Sequence, residues 1–296
     1  MGRLVYGTAY NGVIRFSVID STDIVVESRE KHNLSYLPTV VLGRLITTVG
    51  LVLPWLSEKE TITFIISGDG PVESVVSQGS IRGTTLGTVR GYVSNKNFEL
   101  EPNEYHKFDV KKAIGEGDLT VVRDVGLRTP YTSKVPLVSG EIAEDIAYYY
   151  TKSEQIPSAF ALGVLMDQNG VISAGGLSVQ VLDRNIDPVV IAKLEENLRD
   201  LSVSSLFTHM RLEEIASYVL STDNMIYEEM DVIFKCNCNN EKAAESLSVL
   251  DLSELYQLYE EGKAEVTCKW CNTLYVFEKT DILKVIENKK RKVQEE

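Results

Sequence analysis

The sequence predicts an α+β protein in three parts: a mixed sheet-and-helix core domain over residues 1–182, a helical connector over residues 183–226, and a small C-terminal domain over residues 227–296. Three observations support this. Strand and helix signals are mixed irregularly up to residue 182, apolar residues then recur at helical spacing, and every cysteine lies in the last part. A chain of 296 residues that is 44% hydrophobic can bury one large core and one small one.

The N-terminal part opens with a β-hairpin. Residues 4–10 and 13–18 have strand-like alternation, and Asn11-Gly12 between them is a favoured hairpin turn. A helix is predicted next, over residues 37–53. The apolar run over residues 40–56 contains Arg44 and Pro54 and is short for a membrane span, so it indicates a buried core helix.

The rest of the core domain is predicted to add strands, one helix and a second hairpin. The helix covers residues 139–153, with Ser139 as a plausible N-cap. The hairpin pairs residues 160–167 with residues 171–181 around a turn that ends in Asn-Gly. The remaining strands are predicted at residues 61–67, 72–76 and 87–93.

The connector is predicted to be helical. Asp187-Pro188 is typical of a helix start, with proline at the first helical position. A second helix is predicted over residues 211–220. Apolar residues at helical spacing form what we call the connector stripe: Val190, Ile191, Leu194, Leu198 and Leu201. Because the connector cannot bury this stripe alone, it must dock on another surface.

The C-terminal part is too small to have a strong core. A strand over residues 231–234 is predicted to lead into the first cysteines. Asp251 and Glu254 resemble a capping box that opens a helix, and Gly262 is suited to end it. Strands over residues 265–268 and 273–277 flank the second pair of cysteines, and a helix closes the chain. A unit of this size usually needs a metal or another crosslink.

The four cysteines form two close pairs, Cys236-Asn237-Cys238 and Cys268-Lys269-Trp270-Cys271. Two such pairs can converge as four thiolates around one tetrahedral zinc ion. They can instead close as two local disulfides, and they cannot do both at once. Zinc-bound thiolates are oxidisable, and a partner one or three positions away can resolve a sulfenic acid. The spacing therefore fits a redox switch built on a metal site, and it also fits a purely structural zinc site.

The net charge and the first residues of the chain narrow the classes of partner and the cell compartment that we expect. The net charge of −13 argues against nucleic-acid binding, which normally needs a basic face. Met1-Gly2-Arg3 leads into strand-like sequence instead of a secretory signal, so we expect a soluble cytoplasmic protein that does not bind a membrane. In a reducing cytosol, clustered cysteines more often bind metal or react than form structural disulfides. Residues 1–180 contain no recognisable catalytic constellation, so an enzyme is not expected.

Several short segments, together with the four cysteines, carry a resemblance to a known family. They are 68–71 (GDGP), 89–93 (VRGYV), 138–145 (VSGEIAED), 153–158 (SEQIPS), 174–176 (AGG), 268–272 (CKWCN) and 275–277 (YVF). With them the sequence resembles the redox-regulated heat-shock chaperones of 33 kDa found in bacteria. The resemblance extends in order over essentially the whole chain and is not confined to the cysteines.

The resemblance implies a chaperone that holds unfolding client proteins without hydrolysing ATP. In the reduced form, one Zn²⁺ per chain would bind Cys236, Cys238, Cys268 and Cys271, and the small domain would support the connector against the N-terminal sheet. Oxidation would form Cys236–Cys238 and Cys268–Cys271 disulfides, release zinc and unfold the small domain. The exposed apolar surface, for which we predict the connector stripe and the strand over residues 171–181, would then bind clients. Members of the family form homodimers when active.

Two other classes of protein fit the cysteine pattern. A thiol–disulfide oxidoreductase could use Cys268 and Cys271, but their motif is predicted in a hairpin, and the other pair would have no role. A binding module could use zinc only to shape a ribbon that contacts a partner. Zinc that stays bound during oxidation, without any gain in suppression of aggregation, would distinguish this module from a switch.

Overall fold

The computed structural model describes residues 1–183, 185–199, 201 and 203–295. It contains two compact units, Met1–Lys235 and Cys236–Glu296. Both combine strands with helices, so the predicted α+β class is confirmed.

The larger unit is built on one sheet of ten strands among the described residues. In chain order these are β1 (Gly2–Ala9), β2 (Ile14–Asp20), β3 (Thr61–Gly68), β4 (Ser74–Arg82), β5 (Leu86–Val93), β6 (Gly117–Asp124), β7 (Tyr131–Pro136), β8 (Ser158–Asp167), β9 (Gly170–Val181) and β10 (Met225–Phe234). Across the sheet their order is β7-β6-β3-β4-β5-β10-β1-β2-β9-β8. The predicted hairpins β1–β2 and β8–β9 are both present.

The helices of this unit follow the chain between those strands. They are α1 (Thr22–His32), α2 (Tyr36–Val52), α3 (Val110–Ile114), α4 (Ala143–Lys152), α5 (Pro188–Arg199), α6 (Val203–Leu206) and α7 (Leu212–Leu220), with a short 3₁₀ helix at Leu53–Trp55. The last three α-helices belong to the connector.

The helix α2 forms the centre of the core. It is apolar on every side, and apart from Tyr36 and Arg44 its residues are buried. It packs against β2, β4, β5, β8 and β9, so strands on both sides of β10 in the sheet contact it. By length and composition the segment Tyr36–Trp55 could cross a membrane, but 89% of its most apolar window is buried inside the protein. A helix that is hydrophobic all round and buried in this way is a core helix, as the sequence predicted.

The strand β10 lies in the middle of the sheet. It pairs antiparallel with β1, and its last residues pair parallel with β5. Met230, Val232 and Phe234 alternate along it and are buried. The small domain is predicted to start at residue 227, which lies inside this strand. The second compact unit instead starts at Cys236, after the strand has ended. The functional division into three parts stays a prediction.

The connector docks on the sheet, as expected for a segment that cannot bury its own stripe. Leu194 is buried, and the other four residues of the connector stripe are partly buried in the same apolar cluster. The sheet contributes residues such as Val5, Phe16 and Val179 to that cluster, and α7 contributes Ile215. Burial of these side chains is the main source of free energy that holds the connector in place.

Hydrogen bonds add to this docking. Tyr10, in the β1–β2 turn, donates its hydroxyl to the backbone carbonyl of Leu220 at 2.6 Å. The Asn197 side-chain amide in α5 donates to the carbonyls of Tyr218 and Val219 at 3.1 and 3.0 Å, and to Ser221 Oγ at 2.7 Å. Asn197 therefore ties α5 to the last turn of α7.

The smaller unit consists of α8 (Asn240–Leu247), α9 (Leu252–Glu261), the antiparallel strands β11 (Lys263–Thr267) and β12 (Leu274–Glu278), and α10 (Lys279–Glu295). Asp251 donates its backbone N–H to Glu254 at 2.8 Å before α9, and Gly262 ends that helix in a left-handed conformation, as predicted. Its described apolar core is small: Ala243, Leu247, Leu255, Ala264, Phe277, Ile282, Val285 and Ile286.

Candidate metal centre

The first cysteine pair lies between the end of a strand and the start of a helix. Cys236 comes two residues after β10 ends, and Cys238 directly precedes Asn239, the N-cap of α8. Asn239 Oδ1 accepts the backbone N–H of Lys242 at 2.9 Å, and Lys242 Nζ donates to the carbonyl of Asn237 at 2.8 Å. The backbone between the two cysteines is thus fixed to the first turn of α8.

The second pair occupies the turn that joins β11 to β12. The backbone N–H of Cys268 donates to the Thr273 carbonyl at 2.9 Å, and the N–H of Asn272 donates to the Cys268 carbonyl at 2.7 Å. Asn272 has a φ of 58°, a left-handed conformation that asparagine tolerates better than most residues. This turn places Cys268 and Cys271 at the same end of the hairpin.

The four sulfur atoms converge. All four Sγ atoms lie within 4.8 Å of one another. The distance is 3.7 Å between Cys236 and Cys268 and 3.2 Å between Cys238 and Cys271. A tetrahedron with Zn–S bonds of about 2.3 Å has edges of about 3.8 Å, so only small shifts would be needed to surround a zinc ion. Each of these two contacts joins a cysteine of one sequence pair to a cysteine of the other.

Two hydroxyl groups contact this cluster. Tyr275 in β12 donates its hydroxyl to Cys238 Sγ at 3.0 Å, and Thr273 Oγ1 lies 3.2 Å from Cys271 Sγ. The sequence reasoning did not identify either residue. The signal that was available for Tyr275 is the two-residue alternation of a strand, which places Tyr275 and the buried Phe277 on one face. Thr273 directly precedes that strand.

Burial and hydrogen bonding change the acidity of these thiols in opposite directions. Burial raises the pKa of Cys268 to about 12, and it also raises the pKa of Cys238. Burial acts in the same direction on Cys271, but hydrogen bonds from the Thr273 side chain and backbone outweigh it, and the pKa of Cys271 falls to about 7. In the absence of a cation the cluster therefore resists carrying four negative charges.

The donor set fits a soft divalent cation. Four thiolates at these distances match the all-sulfur coordination that is typical of structural zinc sites. Cys271 is 6% exposed and the other three cysteines are partly buried, so the protein shields the sulfurs from bulk water. The cluster is compatible with a zinc site, and it brings together all four residues that the sequence singled out.

The other predicted site residues lie elsewhere. The connector stripe packs on the sheet of the larger unit, and the apolar cluster there covers most of the surface of the stripe residues. The predicted client-binding strand is β9, whose residues are largely buried. Whether these residues bind clients stays a prediction.

Comparison with known proteins identifies relatives over the whole chain. The family described as Hsp33 protein matches residues 2–278. The 33 kDa chaperonin of Thermotoga maritima is 48% identical over 287 residues, which cover 97% of this chain and 98% of the relative. The 33 kDa chaperonin of Bacillus licheniformis is 37% identical over 95% of this chain and 98% of its own length.

A solved structure agrees with these relatives. The crystal structure of the 33 kDa chaperonin from Thermotoga maritima superposes with a TM-score of 0.93 at 47% identity, covering 98% of this chain and 99% of the other. Identity at this level over nearly the full length extends to both compact units. The chain therefore belongs to the Hsp33 family, a family of heat-shock chaperones rather than of enzymes.

Proposed function

We propose that this protein is a redox-regulated, ATP-independent chaperone of the cytoplasm. In its reduced form it binds one Zn²⁺ and is inactive; in its oxidised form it holds unfolding proteins. The observation that carries the proposal is the convergence of four cysteine sulfurs within 4.8 Å from two pairs that are each close enough in sequence to form a disulfide. One set of residues can thus serve two mutually exclusive states.

In the reduced state, the metal ligands would be Cys236, Cys238, Cys268 and Cys271. Bound zinc would tie the segment after β10 to the β11–β12 turn and would keep all four sulfurs as thiolates. Structural zinc contributes about 10–16 kcal/mol in small peptides, which is large beside what a core of this size supplies alone. The fold of Cys236–Glu296 would then depend on the metal.

Oxidation would use the two sequence pairs. The thiolate of one cysteine attacks a hydroperoxide, the O–O bond breaks, and the sulfur keeps one oxygen as a sulfenic acid while hydroxide or an alkoxide leaves. The thiolate of the pair's other cysteine then attacks that sulfur and displaces hydroxide, which completes a disulfide. Two peroxides would form Cys236–Cys238 and Cys268–Cys271 and would leave no thiolate to bind zinc.

Loss of the small unit's fold would act on the connector through the continuous chain. The connector runs into β10 after residues 221–224, and Cys236 follows β10 by two residues. We propose that unfolding beyond Cys236 destabilises connector docking, so that the connector stripe and the sheet residues beneath it become accessible to unfolding clients. Active chains would pair as homodimers, and the net charge of −13 would limit aggregation while the apolar surface is open.

The position of the Cys268–Cys271 motif favours this function over thiol–disulfide exchange catalysis. Both cysteines lie in a turn between two strands. The reactive thiolate of an oxidoreductase is commonly stabilised by a helix N-terminus or a neighbouring cation. No helix begins at either cysteine in the described part of this unit.

The test measures zinc content and client protection on the same samples. The reduced chain is loaded with zinc, treated with hydrogen peroxide at elevated temperature, and assayed for released zinc and for suppression of the thermal aggregation of a heat-labile enzyme. About one zinc per reduced chain, lost as protection appears, supports the proposal. Retained zinc, or zinc lost without protection, would leave only a structural metal site. In a variant with Cys236 and Cys238 replaced by serine, client protection should no longer depend on peroxide.

A further inference from the structure

The hydroxyl of Tyr275 contacts a cysteine of the first sequence pair, and the hydroxyl of Thr273 contacts a cysteine of the second. Tyr275 donates to Cys238 Sγ at 3.0 Å, and Thr273 Oγ1 lies 3.2 Å from Cys271 Sγ. We propose that these two hydroxyls are positioning groups that lower the reactivity of Cys238 and Cys271 toward electrophiles such as hydroperoxides, and so set how readily the switch opens. The inference rests on the proposed function and deepens it.

The strand geometry holds the Tyr275 hydroxyl in place. Phe277 is 5% exposed and packs in the core of the small unit, whereas Leu274 and Val276 are 52% and 47% exposed. Because strand side chains alternate between faces, the buried Phe277 fixes which face of β12 is turned inward. Tyr275 shares that face, and Val266 on β11 lies opposite it in the antiparallel register. The hydroxyl of Tyr275 is thus delivered to Cys238 by the packing of its own strand.

The effect on reactivity follows from where charge moves. When a thiolate attacks an electrophile, negative charge leaves the sulfur for the new bond and the leaving group. A hydrogen bond to that sulfur is strongest while the full charge is present, so it stabilises the reactant more than the transition state. Removing one such hydrogen bond is expected to speed the reaction by about threefold to tenfold.

The experiment uses variants that remove only the hydroxyls. Tyr275→Phe and Thr273→Val are compared with Tyr256→Phe, a control in the same unit whose hydroxyl contacts Lys290 instead of a cysteine. Each reduced, zinc-loaded chain is treated with iodoacetamide, and alkylation of each cysteine is followed by mass spectrometry of its peptides. Zinc release by hydrogen peroxide is measured in parallel with a chromogenic chelator.

The expected result is specific to position. Tyr275→Phe should speed alkylation of Cys238 about threefold to tenfold and leave Cys271 unchanged, and Thr273→Val should show the reverse. Both should release zinc faster with peroxide, whereas Tyr256→Phe should behave as the unmodified chain. Unchanged alkylation of Cys238 in Tyr275→Phe, or equal acceleration at all four cysteines, would overturn the proposal, since the latter indicates general loosening.

The alkylation assay separates this inference from the proposed function. Iodoacetamide transfers a carbamidomethyl group to sulfur and releases iodide, so it requires no oxidant. If peroxide left zinc bound in every variant, the redox switch would be refuted, while a selective change at Cys238 would still support the role of Tyr275.

Discussion

The ring of Phe207 lies directly against the backbone of Gly175. A Cβ atom placed on Gly175 would be 2.7 Å from both Cδ2 and Cε2 of that ring, closer than real Cβ atoms approach their neighbours. Gly175 is in β9, and Phe207 belongs to the connector. Glycine at this position therefore lets an aromatic ring of the connector reach the sheet itself, which makes the contact a local anchor of docking.

Replacing Phe207 with alanine should weaken that anchor. Truncating a fully buried phenylalanine costs about 3–5 kcal/mol, and this half-buried ring should contribute about 2 kcal/mol to docking. We expect the reduced, zinc-loaded F207A chain to be cleaved faster within the connector by a protease and to suppress client aggregation without oxidant. Limited proteolysis and the aggregation assay measure the two effects.

Val189→Ala provides a matched control for this prediction. Val189 is in α5 of the same connector, but it is 72% exposed, so losing its methyl groups should change neither readout. If F207A and V189A were cleaved at the same rate as the unmodified chain, the ring would not anchor the connector. Gly175→Ala is a less clean probe, because its Cβ would also approach the Ile19 carbonyl oxygen at 2.6 Å.

Asn197 should hold α5 against the end of α7. Its amide nitrogen has three acceptors, two of them carbonyls from the last turn of α7. Asn197→Ala leaves these acceptors to compete for water and should destabilise the helix pair by about 1–2 kcal/mol. Hydrogen exchange of the α7 amides should be about tenfold faster in the reduced Asn197→Ala chain than in the reduced, unmodified chain.

The comparison for Asn197 is Lys193→Ala on the same helix. Lys193 forms an exposed ion pair with Glu196, and such pairs contribute about 0–1 kcal/mol. Exchange in α7 should therefore stay close to that of the unmodified chain. Equal acceleration in both variants would mean that α5 is loosened generally and that the three acceptors of Asn197 have no special role.

Local sequence signals predicted the parts of the fold that local interactions determine. The two strands around Asn11-Gly12 and the core helix were predicted within a few residues of the bounds of β1, β2 and α2. The helix predicted from Ser139 instead begins at Ala143. The reason is that the buried Asp145 carboxylate accepts N–H groups from residues 138–140 and 142 and fixes them as a loop. Alternation and capping rules do not reveal such a side-chain–backbone network.

The sequence predicted the ligands of the metal centre but not the side chains that contact them. Its ligands were identified because the chain has only four cysteines, in two close pairs. Thr273 was missed because it lies in the turn before β12, and Tyr275 because its role depends on which face of β12 turns toward the sulfurs. That orientation is set by packing of Phe277 against residues distant in sequence, which a single sequence does not show.

Zinc removal should unfold the small unit and leave the sheet region around Trp55 folded. The chain has two tryptophans, Trp55 in the larger unit and Trp270 between Cys268 and Cys271. In a Trp55→Phe chain, a strong chelator should shift the emission of Trp270 to longer wavelength as the region around it unfolds. In a Trp270→Phe chain, the emission of Trp55 should stay unchanged. A simultaneous shift of both tryptophans would show that the units unfold together.

The position of β10 predicts where the chain can be shortened. A chain of residues 1–226 removes most of β10, although the sequence placed that strand in the small domain. Without it, β1 and β5 lose their shared neighbour, and the buried positions of Met230, Val232 and Phe234 are left empty. Losing three such side chains costs several kcal/mol, comparable to the whole stability of a domain, about 5–15 kcal/mol.

We therefore expect residues 1–235 to fold and residues 1–226 to fail to form a cooperative structure. Thermal unfolding followed by circular dichroism, together with the near-ultraviolet spectrum, distinguishes the two chains. The longer chain, like the shorter one, ends before the first cysteine. Neither zinc nor peroxide should therefore change how its connector docks. A cooperative transition for residues 1–226 at the same temperature as for residues 1–235 would show that the two halves of the sheet are stable without β10, and the predicted boundary at residue 227 would then be the functional one.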